Sequence, residues 1–232
     1  RAEANFDAVR GIARTMIVDF NDDIRELRGA TGARDRLLRE ARAYLERVRA
    51  QGDEDVGFLR ELADAHDRVG ELQAGVYGPS TRESAEGGVG FGEARRLRER
   101  VLARLPADAR AHADMARSLQ RSATVLQQER KYGDALAEME RAIGECDRGL
   151  SFVKATEAAL RGETEALRAA CIVGAGDLTL RLSEEAREAA QKAARAREAL
   201  SRYDAAASHW RSRSADPGSA RALATIASKR SR

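Results

Sequence analysis

Tyr132-Gly133-Asp134-Ala135-Leu136-Ala137-Glu138-Met139-Glu140-Arg141-Ala142-Ile143-Gly144-Glu145-Cys146 is the stretch on which the reading of this chain turns. Its apolar residues Tyr132, Leu136, Met139, Ile143 and Cys146, continued by Leu150, recur at the three-and-four spacing of one helix face. Inside that stripe Ala135, Met139 and Ala142 make a second pattern: a small residue, a large one four residues on and a small one three residues further, small-x-x-x-large-x-x-small. Two helices approach closely only where side chains are small, and a bulkier residue between the small ones fills the space left at the crossing. The preceding Tyr132-Gly133-Asp134 reads as a turn, and Leu119, Ala123 and Leu126 suit the first helix of the same hairpin.

Working outward, helical periods cover most of the chain. Phe6, Val9, Ala13, Met16, Ile17, Phe20, Ile24 and Leu27 define a first helix that stops at Gly29. Leu37, Leu38, Ala41, Tyr44, Leu45 and Val48 define a second, and Leu59, Leu62, Ala63, His66 and Val69 a third, capped by Asp53 or Asp55. From Gln73 to Gly92 seven Gly and Pro residues leave no helical period, which predicts a loop or insertion. A short helix resumes near Glu93 and stops at Pro106, Asp108 starts the next, and a further one begins around Ser151. Whether that helix breaks at Gly174 and Gly176 or runs through to Leu182 is open on pattern alone. Ala186, Ala189, Ala193, Ala196, Leu200, Tyr203, Ala207 and Trp210 then form the longest stripe, closed by Asp216-Pro217-Gly218 before a last helix over Ala220–Lys229.

Composition agrees and excludes much else. Of 232 residues 43% are hydrophobic, 34% charged and only 4% aromatic, and Ala, Leu, Arg and Glu, all helix formers, dominate. The chain is too charged for a membrane span and too periodic for disorder. The net charge is +3, but the stretch from Ser201 carries seven basic residues against two acidic ones, so the body before it is slightly acidic. A nucleic-acid binder normally carries a basic stripe through its folded body, so no nucleic-acid partner is expected. The opening Arg1, without an apolar leader behind it, reads as a segment of a longer or processed protein. Cys146 and Cys171, placed either side of a turn near Gly149–Ser151, are expected far apart as two free packed thiols.

These readings predict an all-α chain of about eight or nine helices. The parts are a lead-in helix at 1–29, a hairpin and repeat start at 30–72, a glycine-rich insertion at 73–92, repeat-like helices at 93–150, a helical pair at 151–215 and a basic tail at 216–232. A compact bundle and a solenoid of stacked hairpins both satisfy this list. The Ala135-Met139-Ala142 spacing favours the solenoid, of the tetratricopeptide kind. A weaker copy pairs Leu59, Leu62, Ala63, His66 and Gly70 with Ala94 and Pro106, and a third uses Gly176 with Ala189, Ala193 and Ala196. The copies are unevenly spaced, so the array is degenerate.

The run Arg14-Thr15-Met16-Ile17-Val18-Asp19-Phe20-Asn21-Asp22-Asp23-Ile24-Arg25-Glu26-Leu27, with Gly29-Ala30-Thr31, Ala33-Arg34 and Tyr44-Leu45, resembles a segment of bacterial serine/threonine protein kinases. In these a kinase domain is followed by a membrane span and a tetratricopeptide region. Arg1–Phe6 is similar to the lead-in after that span, Leu59–Leu72 to the first repeat, and His209-Trp210 with Asp216-Pro217 to the end of the region. The pattern departs at Ala123, at Arg130-Lys131 and over residues 151–182. The resemblance implies a membrane-tethered bacterial parent, with this segment on the extracytoplasmic side and without a span of its own.

Chemistry is sparse. There is no Val-Ala-Ile-Lys, His-Arg-Asp or Asp-Phe-Gly at kinase spacing, and Gly88-Val89-Gly90-Phe91-Gly92 lacks the third glycine of a phosphate loop. His66, His112 and His209 stand singly, so no metal or other cofactor is expected, and paired acids sit at helix starts, where they complement the dipole. The segment is therefore expected to bind rather than catalyse. First-helix residues facing neither partner line the groove of a tetratricopeptide array. Counted from Ala63 these are Arg60, Asp64, Asp67 and Arg68, and from Ala123 they are Gln120, Thr124, Gln127 and Gln128. A protein or peptide ligand is expected there, with the stripe of residues 4–27 suited to pairing with a second copy. The alternative is a structural bundle or coiled-coil dimerisation module without a groove ligand, built on the Ala186–Trp210 stripe; a solvated face with Arg60–Asp64 as an i,i+4 ion pair explains the first residue set equally.

Overall fold

The structure, a computed structural model, describes residues 55–73, 84–212 and 217–230. Among them are seven helices and no strand: α1 Val56–Gln73, α2 Ser84–Arg104, α3 Ala109–Gln128, α4 Tyr132–Phe152, α5 Ala158–Glu185, α6 Ala189–Ser212 and α7 Pro217–Arg230. The all-α class is thus present as expected, while the two helices expected within residues 1–52 lie outside the described residues. The chain divides into two compact units, Arg1–Arg104 and Leu105–Arg232.

In the first unit α1 packs on α2. Asp55 opens α1 by accepting from the Phe58 N–H at 3.2 Å. Phe58, Leu59, Leu62 and Ala63 meet Phe91, Ala94, Leu97 and Val101 in a core of residues under a tenth exposed. The expected insertion over 73–92 needs correction: Ser84–Gly92 is the start of α2. Its glycines serve a close crossing rather than a turn. A Cβ on Gly90 would lie 3.0 Å from the Cα and N of Gly70, and one on Gly70 would lie 3.1 Å from the Phe91 ring. Glycine leaves no mark on an apolar period, which is why this helix start has none.

In the second unit each helix packs chiefly on its neighbours in the chain: α3 on α4, α4 on α5, α5 on α6 and α6 on α7, with α3 reaching α5 over a smaller area. Asp108 caps α3, its side chain accepting from the Ala111 N–H at 2.7 Å. The reversal into α4 falls at Arg130-Lys131, where Arg130 takes the left-handed conformation at φ 61°. Gly133-Asp134, expected in the turn, belongs to the first turn of α4 instead. α4 then runs to Phe152 and the next helix begins at Ala158, later than the expected Ser151.

α5 settles the open break: it is continuous for 28 residues through Gly174 and Gly176. Both glycines admit a neighbour. A Cβ on Gly174 would lie 2.9 Å from Met139 Cε, and one on Gly176 would lie 2.8 Å from Tyr203 Cε1. The triplet Ala135-Met139-Ala142 is buried as its spacing requires, and the same spacing returns buried in Ala199-Tyr203-Ala206. That second triplet corrects the expected copy at Ala189, Ala193 and Ala196, of which the first two are exposed and the last half-buried. In the first unit Phe91 and Ala94 hold the same spacing with Gly87. Ile226 of α7 closes the α5–α6 end of the core, packed with Ile172, Ala199, Tyr203, Ala206 and Ala207.

Candidate functional site

The eight residues expected to line a groove fall on two helices in different units. On α1 Asp64 is exposed and Arg60 half-buried, whereas Asp67 is fully buried. Asp67 Oδ2 accepts from Arg98 Nη1 at 2.5 Å, and Asp64 Oδ1 from Arg98 Nη2 at 2.6 Å. One guanidinium on α2 thus ties both acids of α1. Its own side chain is 5% exposed, so Asp67 faces a helix partner and not an open surface. Asp64 pairs with Arg98 across the hairpin, 34 residues away, a partner that the Arg60–Asp64 spacing does not reveal. The side chain of Arg68 lies outside the described residues.

On α3 the second set stays together. Gln127 and Gln128 are exposed, Gln120 and Thr124 half-buried, and Thr124 Oγ1 donates to the Gln120 carbonyl at 3.1 Å. That bond absorbs the hydroxyl proton into the helix and leaves the two C-terminal amides as the accessible donors and acceptors of the face. Arg117, one turn earlier, donates to Asp114 Oδ1 at 3.2 Å. The face is therefore polar with its charges paired, a surface suited to amide and backbone hydrogen bonds.

Two constellations are absent from the sequence reading because their members are far apart in the chain. His112 on α3 has Nδ1 2.7 Å from Glu145 Oε2 and Nε2 3.0 Å from the Pro106 carbonyl, and its ring stacks on Phe152 with centroids 5.6 Å apart. A carbonyl only accepts, so Nε2 donates to it and is not available to take a proton from a substrate. Arg148 Nη2 holds the other carboxylate oxygen of Glu145 at 2.5 Å. Burial pushes the Glu145 carboxyl up, but hydrogen bonds from Arg148 and His112, together with their charges, outweigh it and hold the group below the usual carboxylate range. The cluster ties the start of α3 to the end of α4, where a Cβ on Gly149 would lie 3.2 Å from the Ala109 carbonyl.

The second constellation is the thiol pair. Cys146 and Cys171, expected far apart, are neighbours across α4 and α5, fully buried and hydrogen-bonded to each other. The sequence estimate failed because the turn falls at 153–157, later than expected, and α5 is offset along α4 by about one turn. Hydrogen bonding to Cys146, then burial, raises the Cys171 thiol far above its ordinary value. Among the described residues no three His, Cys, Asp or Glu side chains gather where they could hold a metal ion, and no helix is long and apolar enough to cross a membrane. No protein-family model matches the chain, and no curated protein or solved structure is significantly similar to it.

Proposed function

We propose that this chain is a non-catalytic protein-interaction region, a degenerate tetratricopeptide-like array that binds a peptide or protein segment through the α3 face of Gln120, Thr124, Gln127 and Gln128. The observation that carries this reading is the buried recurrence of small–large–small spacing in successive hairpins, Ala135-Met139-Ala142 and Ala199-Tyr203-Ala206. A bundle has no need of that spacing; an array needs it at every crossing. The wider context, a sensory segment of a membrane-anchored bacterial serine/threonine kinase on the extracytoplasmic side, rests on the sequence resemblance over residues 1–72 and on no other observation. Pairing through residues 4–27 rests on the apolar stripe of that stretch and its place before the repeats.

A peptide display library selected against the full chain tests the groove. Peptides that bind should lose at least about tenfold in affinity, roughly 1.4 kcal/mol, when Gln120, Gln127 and Gln128 are all changed to alanine. Arg141→Ala on exposed α4 should leave them unchanged. Equal binding by both variants removes the α3 face from the proposal.

One observation favours the second reading, a dimerisation module. Leu200 on α6 is 41% exposed, and Ala189 and Ala193 of the same stripe are exposed with it. If that stripe pairs two copies, sedimentation should show a dimer that Leu200→Glu dissociates. A chain that is monomeric with and without the substitution leaves the groove reading alone.

A further inference from the structure

The register of α4 against α5 is fixed at two levels. Asp147 Oδ1 accepts from Arg168 Nε at 2.5 Å, and further along a Cβ on Gly174 would touch Met139 Cε. An antiparallel pairing that satisfies both contacts brings Cys171 within about one helical turn of Cys146, the first three residues from Gly174 and the second seven from Met139 on the facing sides of the two helices. The thiols are shielded from solvent at this seam, one on the last helix of one hairpin and one on the first helix of the next.

We propose that Cys146 and Cys171 close into a reversible intramolecular disulfide when the chain meets a peroxide, fastening the α3–α4 hairpin to the α5–α6 hairpin. The balance is that of two thiols and one peroxide. One sulfur attacks a peroxide oxygen, the O–O bond breaks, a sulfenic acid forms and the displaced hydroxide leaves as water. The second thiol then attacks the sulfenic sulfur, forming the S–S bond and expelling a second water. Two electrons pass from the sulfurs to the peroxide, and no further reactant is required.

The surroundings set the rate and the result. Both sulfurs are shielded from solvent, and the raised Cys171 thiol carries little thiolate, so the first step waits for α4 and α5 to part transiently. The second step is fast, because the partner sulfur is already within hydrogen-bond reach. Unlike an exposed sensor cysteine, the pair therefore records sustained exposure rather than a brief pulse. Once formed, the link spans 25 residues of sequence and removes the sliding freedom of one hairpin on the next. This holds whether or not the α3 face binds a peptide.

The test treats the full chain with hydrogen peroxide and reads intact mass, peptide mapping and thermal unfolding. The expected product is a monomer lighter by about 2 Da, with Cys146 linked to Cys171. Its unfolding midpoint should rise by several degrees and return on adding dithiothreitol. Cys146→Ala, checked for helicity by circular dichroism, should instead stop at a sulfenic acid on Cys171 that dimedone traps, and Cys171→Ala gives the mirror result. The proposal is overturned if the folded chain keeps both thiols under conditions that oxidise the urea-unfolded chain. It is equally overturned if the disulfide joins two chains, or if the linked monomer melts at or below the temperature of the dithiol.

Discussion

At the scale of single residues, the polar contacts between side chains far apart in sequence tie one helix to another. Glu145 shows it: an imidazole from α3, His112, and a guanidinium from its own helix, Arg148, converge on one carboxylate. Because that carboxyl is held below its usual range, the unfolded chain takes up its proton more readily than the folded one. The stabilisation is complete at neutral pH and fades as the pH falls through the carboxylate range toward the lowered folded value. Glu145→Ala should therefore cost about 1.5–3 kcal/mol at pH 7, the worth of hydrogen bonds to a charged group. Urea unfolding of both proteins over a pH series should show the gap narrowing toward acid. A gap that stays constant to pH 3 would mean that side-chain packing, not the charge, makes the contribution. Neither His112 nor Glu145 could be paired from sequence, since 33 residues and an unknown turn geometry separate them. The Arg98 bridge to Asp64 and Asp67 was hidden in the same way, and there the cost was a wrong surface assignment for Asp67.

At the scale of elements, local pattern predicted helices well and their ends badly, for one physical reason. Apolar side chains mark a buried face, and glycine and alanine do not. α3 and α4, rich in Leu, Met and Ile at helical spacing, emerge where expected, and Ala135, Met139 and Ala142 are buried as their spacing demands. α2 was missed over Ser84–Gly92 because its close approach to α1 is made by Gly90 and Gly70. The triplet on α6 was misplaced by ten residues, since an alanine-rich helix offers several equivalent registers and only the position of Tyr203 over Gly176 selects one. That crossing makes a prediction. The Tyr203 ring is buried, and its hydroxyl donates to Asp177 Oδ1 at 2.7 Å, so it has no freedom to retreat from a Cβ at 2.8 Å. Gly176→Ala should destabilise the chain by about 1–3 kcal/mol despite alanine's better helix propensity. Gly144→Ala, in a helix where the added Cβ meets nothing within 4 Å, should stabilise it by about 0.5–1 kcal/mol. Urea midpoints of the two variants decide it: shifts of the same sign would show that propensity, and not the crossing, governs these positions.

At the scale of the whole molecule, what distinguishes an array from a bundle is how far a local injury travels. In the second unit the helices pack in chain order, and the core around Tyr203 draws on α5, α6 and α7 with Ile143 of α4 at its edge. Stability in such an arrangement is close to a sum of neighbour terms, so losing one interface leaves remote ones standing. Around a single shared core, by contrast, every helix loses support together. Tyr203→Ala removes the large member of the Ala199-Tyr203-Ala206 triplet, a loss of about 3–5 kcal/mol for a buried aromatic ring. Hydrogen exchange followed by mass spectrometry reads its reach. Amides of α6 and α7 should exchange at least about a hundredfold faster, matching an opening energy lowered by some 3 kcal/mol. Those at the centre of α3, around Leu119 and Ala123, should change less than about threefold, because they rest on α4 and not on the injured seam. A uniform acceleration across α3 to α7 would instead mark one cooperative core. The proposed groove would then lose its structural basis, since a concave face of stacked first helices exists only where hairpins succeed one another instead of enclosing a common centre.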